Sequence, residues 1–214
     1  MIIAWCLWLL GAWGVALLSS SGIPAVRWTV LASVIGLMAM WPAARLSQAE
    51  QIDDARRHPQ AALAILLEWL CLVLVFQVVI WPLRIVADWP VRQALWLDAA
   101  VAAWSLLTAA AVAWGRQFHT SLGRTIMMAL CMLVLVGEPA LMALTPSSGP
   151  SPLRFVWTMR LSPLQALWAM TAPSPGPLEP WMGVILTIAA AAVAAWLVLF
   201  IFAWLNRGGD ENRG

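Results

Sequence analysis

The sequence predicts an all-α polytopic membrane protein, with six transmembrane helices and a re-entrant or interfacial helical element between the fifth and the sixth. Three observations predict it. The chain is 63% hydrophobic and 10% charged, where soluble domains carry about 25% charged residues. Its apolar residues fall in six runs, at 2–18, 25–44, 61–82, 94–114, 126–144 and 181–205. At 1.5 Å rise per residue, runs of about 20 residues match a hydrocarbon core of about 30 Å. The connectors 83–93 and 115–125 are short and Arg-bearing, which makes the three runs they join antiparallel neighbours. The chain reads as one integral-membrane domain, 1–214, whose first partner is the lipid bilayer.

The first run, 2–18, lacks a positively charged start and reads as an uncleaved span at the short limit of length. Gly11 and Gly14 give it a flat patch where another backbone can approach. Ser19–Ser21, Gly22 and Pro24 make the first turn. The second run has Trp28 and Trp41 near its ends, and Pro42 where it leaves lipid.

The segment 45–58 is the most polar of the chain. Leu46, Ala49, Ile52 and Ala55 recur at three-residue steps, which predicts a short amphipathic helix on the cytoplasmic surface. Its charged residues Asp53, Asp54, Arg56 and Arg57 are either a solvated face or contacts for a soluble partner.

The third run carries Glu68, the fourth Asp98, and the fifth Glu138 beside Pro139. Charge in hydrocarbon costs several kcal/mol unless it is paired, hydrated or shallow. Glu68 lies deepest from its helix start and is expected to pair with an arginine of another segment, to contact substrate or ion, or to relay a proton. Asp98 is shallow enough to reach the surface. In the connector 83–93, Arg84, Asp88 and Arg92 stand at four-residue steps, with Pro90 interrupting any continuous helix.

Eight prolines punctuate 145–180. The apolar pieces 153–161 and 164–172 between them are too short to span, and re-entrant or interfacial helices are the expected use of such pieces. The last run carries Gly183, Thr187, Ala191 and Ala195 at four-residue steps, a ladder suited to close helix packing within the chain or against a partner. The residues after 205 are polar.

Trp28, Trp41, Trp81, Trp89, Trp114, Trp181 and Trp204 lie near run ends, as expected of a membrane–water interface belt. All twelve basic residues are Arg. With both termini cytoplasmic, seven fall inside and five outside, a small bias in the expected direction.

Several chemistries find no motif. There is no phosphate-binding Walker A loop, no HExxH and no GxSxG. His58 and His119 fall in polar connectors, where a haem bundle would place histidine within facing helices. Cys6, Cys71 and Cys131 sit singly in apolar runs and read as small buried hydrophobes. A net charge of +2 without a basic cluster excludes a nucleic-acid surface. No enzyme activity and no cofactor are expected.

The residues Arg57-His-Pro-Gln-Ala-Ala-Leu, Trp89-Pro-Val-Arg-Gln-Ala-Leu, Gly115-Arg116, Gly123-Arg-Thr-Ile-Met-Met-Ala and Leu161-Ser-Pro-Leu-Gln-Ala-Leu-Trp168 carry a resemblance. Over about 57–205 the chain resembles the membrane subunits of bacterial ABC exporters of the type-2 class. The resemblance implies a permease subunit of the inner membrane, acting with a separate ATPase chain and a second permease chain. It departs from the family after the second run, where 45–58 is shorter and lacks a Gly-Thr pair. The alternatives are a structural or assembly subunit of a larger respiratory or photosynthetic membrane complex, and an intramembrane enzyme.

Overall fold

The fold is arranged around the alanine-rich helix Val91–Gly115. The computed structural model describes residues 2–18, 22–48, 59–117, 120–144, 162–172 and 179–211. These form seven helices and no strand. Helix α1 is Ile2–Leu18. Helix α2 joins Gly22–Ile35, a π-helical turn Gly36–Met40 and Trp41–Ser47 without a break. Then follow α3 (Pro59–Val86), α4 (Val91–Gly115), α5 (Ser121–Leu144), α6 (Pro163–Met170) and α7 (Glu179–Glu211).

Helix α4 packs against α3, α5, α6, α7 and the second half of α2. Small side chains allow this. Ala94, Ala100, Ala103, Ala109, Ala110 and Ala113 are all buried, so neighbouring backbones come close and gain dispersion contact where lipid removes any hydrophobic drive. Trp104 and Leu97 fill the remaining space.

Among the described residues four helices are long and apolar enough to cross a membrane: Ala25–Ser47, Ala61–Val86, Val91–Gly115 and Pro180–Leu205. Their outward faces carry large apolar residues such as Leu74, Val78, Leu186, Leu197 and Phe202, a surface suited to acyl chains rather than water. Helices α1 and α5 contribute shorter apolar stretches, Trp5–Gly14 and Ser121–Val136, within their described parts.

Several boundaries differ from the sequence reading. Helix α3 does not stop at Pro82 but runs on to Val86, because a membrane helix tolerates the loss of one N–H donor. Its stop lies six residues later, at Asp88, whose φ of 53° is left-handed. The Trp89 N–H reaches the Arg84 carbonyl at 3.0 Å and the Asp88 N–H reaches the Ile85 carbonyl at 3.4 Å. This is a Schellman ending with aspartate where glycine is usual. Arg84 Nε donates to the Trp89 carbonyl at 3.1 Å and closes the turn. Asp88→Gly should therefore raise stability by about 0.5–1 kcal/mol, and Asp88→Val should lower it. Thermal unfolding in mild detergent measures both; a lower midpoint for Asp88→Gly would assign the turn to the carboxylate instead.

Residues 45–47 also depart from expectation. They continue α2, and Leu46 is buried in the bundle rather than lying on a separate surface helix. The rest of that predicted helix, with Asp53, Asp54, Arg56 and Arg57, lies outside the described residues.

The π turn has a cause in the sequence. Pro42 has no N–H, and its ring would strike the carbonyl of Met38 in regular α geometry. The chain widens just before it, and the Trp41 N–H bonds the carbonyl of Gly36, five residues back.

Candidate functional site

Antiparallel connections bring the starts of α2 and α4 to one end of the bundle, and α6 is docked there. Helix α6 has eight residues. Pro163, Ala166, Leu167 and Met170 are buried, so the helix sits within the bundle against α2, α4 and α5. A helix end leaves carbonyls without intrahelical donors. Here two side chains from different helices supply them. Arg27 of α2 donates Nη2 to the Trp168 carbonyl at 2.7 Å, and Gln93 of α4 donates Nε2 to the Met170 carbonyl at 2.6 Å. Arg27 also lies 3.6 Å from the Trp168 ring centroid, and Trp28 tilts against the same ring at 5.4 Å. A cation at a helix C-terminus is electrostatically favourable, and its stacking on indole adds to this.

Gln93 is itself buried. Gln93→Leu leaves the Met170 carbonyl without this donor, and should lower stability by about 1–3 kcal/mol. Thermal unfolding of the purified chain checks it; a midpoint equal to wild type would show that α6 is held without this bond.

Between the same end and the bundle centre runs a second polar chain. Trp81 Nε1 donates to Gln77 Oε1 at 2.9 Å, and Gln77 Nε2 donates to Asp98 Oδ1 at 2.5 Å. Asp98 is thus bonded across to α3 rather than reaching for the surface. At the opposite end, Arg45 Nη2 meets Glu68 Oε1 at 2.5 Å, with both side chains mostly shielded. Glu68 takes the first of its expected roles, pairing with an arginine of another segment. Glu138 falls within α5, and its side chain lies outside the described residues.

The tryptophans split into two groups. Trp28, Trp81 and Trp204 are exposed at run ends, as an interface belt requires. Trp41 and Trp89 are buried instead. Further tryptophans tie helices together. Trp5 donates to the Leu72 carbonyl, Trp8 to the Ala32 carbonyl, Trp69 to Ser105 Oγ and Trp196 to the Leu106 carbonyl. Each uses an indole N–H to link two helices while its ring fills apolar space.

The ladder on α7 is not used within this chain: Gly183, Thr187 and Ala191 point away from the bundle, and Ala195 is half-buried. Helix α7 packs through Ile185, Ala192, Trp196 and Leu199 instead. Gly11 and Gly14 have open space before them rather than a packed backbone. Cys131 is buried, but Cys71 is exposed and Cys6 half-buried. Among the described residues no group of three His, Cys, Asp or Glu could hold a metal ion.

Arg27, Gln77 and Gln93 were not singled out from the sequence. Their signal was present: each is a long polar side chain within about two turns of a span's end, where several kcal/mol forbids an unpaired group deeper in lipid. No protein-family model, curated protein or solved structure matches this chain.

Proposed function

We propose that this chain is the six-pass membrane subunit of an ABC-type exporter in the bacterial inner membrane. Both termini are cytoplasmic, and it works with a separate ATPase chain and a second permease chain. The four long apolar helices are joined as spans by α1 and α5, whose 17 and 24 residues reach about 26 and 36 Å at 1.5 Å per residue.

The observation that carries the reading is α6. A short helix docked into the bundle, lying in sequence between α5 and α7, is the kind of element that the type-2 permease resemblance implies there, and this supports the reading. It begins at Ser162-Pro163-Leu164, within the stretch that carries the resemblance. Eight residues are too few to span a bilayer, so α6 is a part of the bundle kept for more than spanning.

A second reading rests on a different observation. The small-residue face of α7 looks outward, and a structural subunit of a larger membrane complex would use that face against a neighbouring helix.

Affinity purification of the full chain in mild detergent, followed by mass spectrometry of what comes with it, separates the two. A stoichiometric nucleotide-binding ATPase supports the exporter reading. A many-subunit respiratory or photosynthetic assembly without an ATPase overturns it in favour of the second.

A further inference from the structure

The start of α6 is buried and chemically open. Ser162 occupies the N-cap, with φ −81° and ψ 119°. From that extended conformation an N-cap hydroxyl ordinarily accepts a bond from an N–H two or three residues on. Ser162 makes no such bond. It is 2% exposed, and its Oγ has no hydrogen-bond partner among the described residues. Gln165, three residues later, stands where a capping box places the side chain that reaches back. Its Oε1 is buried and also without a partner among the described residues. Both halves of the box are in place, and neither is used on the other.

The same helix end presents backbone donors. Pro163 has no N–H, and the Ala166 N–H is taken by the Ser162 carbonyl at 3.0 Å. The N–H groups of Leu164 and Gln165 fall within the first turn, where a helix offers no internal acceptor. Those groups and the aligned peptide dipoles make a helix N-terminus a favourable place for negative charge. Discontinuous helices within membrane bundles use such ends to hold anionic groups. The opposite end of α6 is anchored by Arg27 and Gln93, which fixes the direction in which its N-terminus points.

We propose that the N-terminus of α6 is a binding site for an oxyanion, a carboxylate or phosphate group. The Ser162 hydroxyl and the backbone N–H groups of Leu164 and Gln165 donate to it. Gln165 joins by turning its amide so that Nε2 takes the place of Oε1. Leaving a hydroxyl and an amide buried without partners destabilises a fold. Such groups persist where a ligand satisfies them, and the site is then less stable when empty than an apolar substitute would be. The inference stands apart from the exporter reading, since either kind of membrane subunit can hold an anion within its bundle.

The test is thermal unfolding of the full chain in a neutral detergent, in chloride buffer free of phosphate and carboxylate. Sodium acetate and inorganic phosphate are titrated at matched ionic strength, and phosphatidylglycerol is added in a separate series. The wild-type midpoint should rise by several degrees, saturably, with at least one source. A rise with free ions assigns the oxyanion to a soluble ligand, and a rise with phosphatidylglycerol alone assigns it to a lipid headgroup. Ser162→Ala and Gln165→Leu should unfold at or above the wild-type temperature without anion, and should lose most of the shift. Thr187→Ala, on the outward face of α7, should keep it. No shift with any source overturns the proposal. So does a Ser162→Ala variant that is less stable than wild type without anion, because the hydroxyl would then be a structural cap. Variants that keep the full shift overturn it too.

Discussion

Arg45→Leu should destabilise the bundle by about 3–5 kcal/mol, because it leaves the Glu68 carboxylate shielded and without its cation. Glu68 stands nine residues after Pro59, the start of α3, or about 14 Å along the helix axis at 1.5 Å per residue. Its side chain is too short to reach water from there. Arg45 is placed differently. It lies in the last turn of α2, and its long stem can carry the guanidinium outward. Glu68→Leu should therefore cost less than Arg45→Leu. The double variant should recover most of the loss, since well-packed apolar residues replace a buried pair at little or no cost. Among the described residues the buried Arg45 Nε has no hydrogen-bond partner, so within them the pair is incompletely satisfied. Unfolding midpoints of the two single variants and the double variant measure the coupling. Additive losses would show that the two residues stabilise the fold independently.

That pair shows how far the sequence carried the fold. Run length against bilayer thickness located the four helices that are long and apolar enough to span, since it depends only on the rise per residue, and it placed α1 and α5, whose apolar stretches are shorter. The intramembrane carboxylate at 68 announced its need for a partner, because lipid offers none. Which arginine would serve was not legible: Arg45 belonged, by composition, to a polar segment that seemed to leave the membrane. Interior faces were harder still. In a water-soluble helix the polar face marks the outside. In α7 lipid and core are equally apolar, so the pattern Gly183, Thr187 and Ala191 does not say whether the ladder packs within the chain or against a partner; in this bundle it points outward. The same ambiguity hid Trp41 and Trp89, whose places near run ends suit an interface belt as well as a buried contact. The site at α6 was half-visible. Its short length and its prolines predicted a helix that could not span, while its anchors Arg27 and Gln93 lie 141 and 77 residues along the chain from the carbonyls they hold, beyond any local pattern.

Gly36 is the position where that ambiguity matters most for stability. A Cβ there would lie 2.5 Å from the Trp5 ring, 2.7 Å from Trp8 Nε1 and 2.9 Å from Trp8 Cδ1. The two indoles of α1 straddle the π turn of α2, and glycine is what lets them close on it. Neither ring is free to retreat. Trp5 donates to the Leu72 carbonyl at 3.4 Å, and Trp8 donates to the Ala32 carbonyl at 3.1 Å. Gly36→Ala should cost about 1–3 kcal/mol through overpacking, after partial offset by the better helix propensity of alanine. Gly36→Leu is far too large for the gap and should separate α1 from the bundle. Cys6 reports this directly, because it lies on α1 and is half-buried in the native fold. In a chain carrying Cys71→Ser and Cys131→Ala, maleimide labelling of Cys6 should be markedly faster with Gly36→Leu than with native glycine. Trp8→Ala removes one of the obstructing rings, so the loss from Gly36→Ala should shrink in that background. Unchanged labelling of Cys6, together with the same loss from Gly36→Ala in both backgrounds, would mean that α1 docks on α2 without the two rings closing over Gly36.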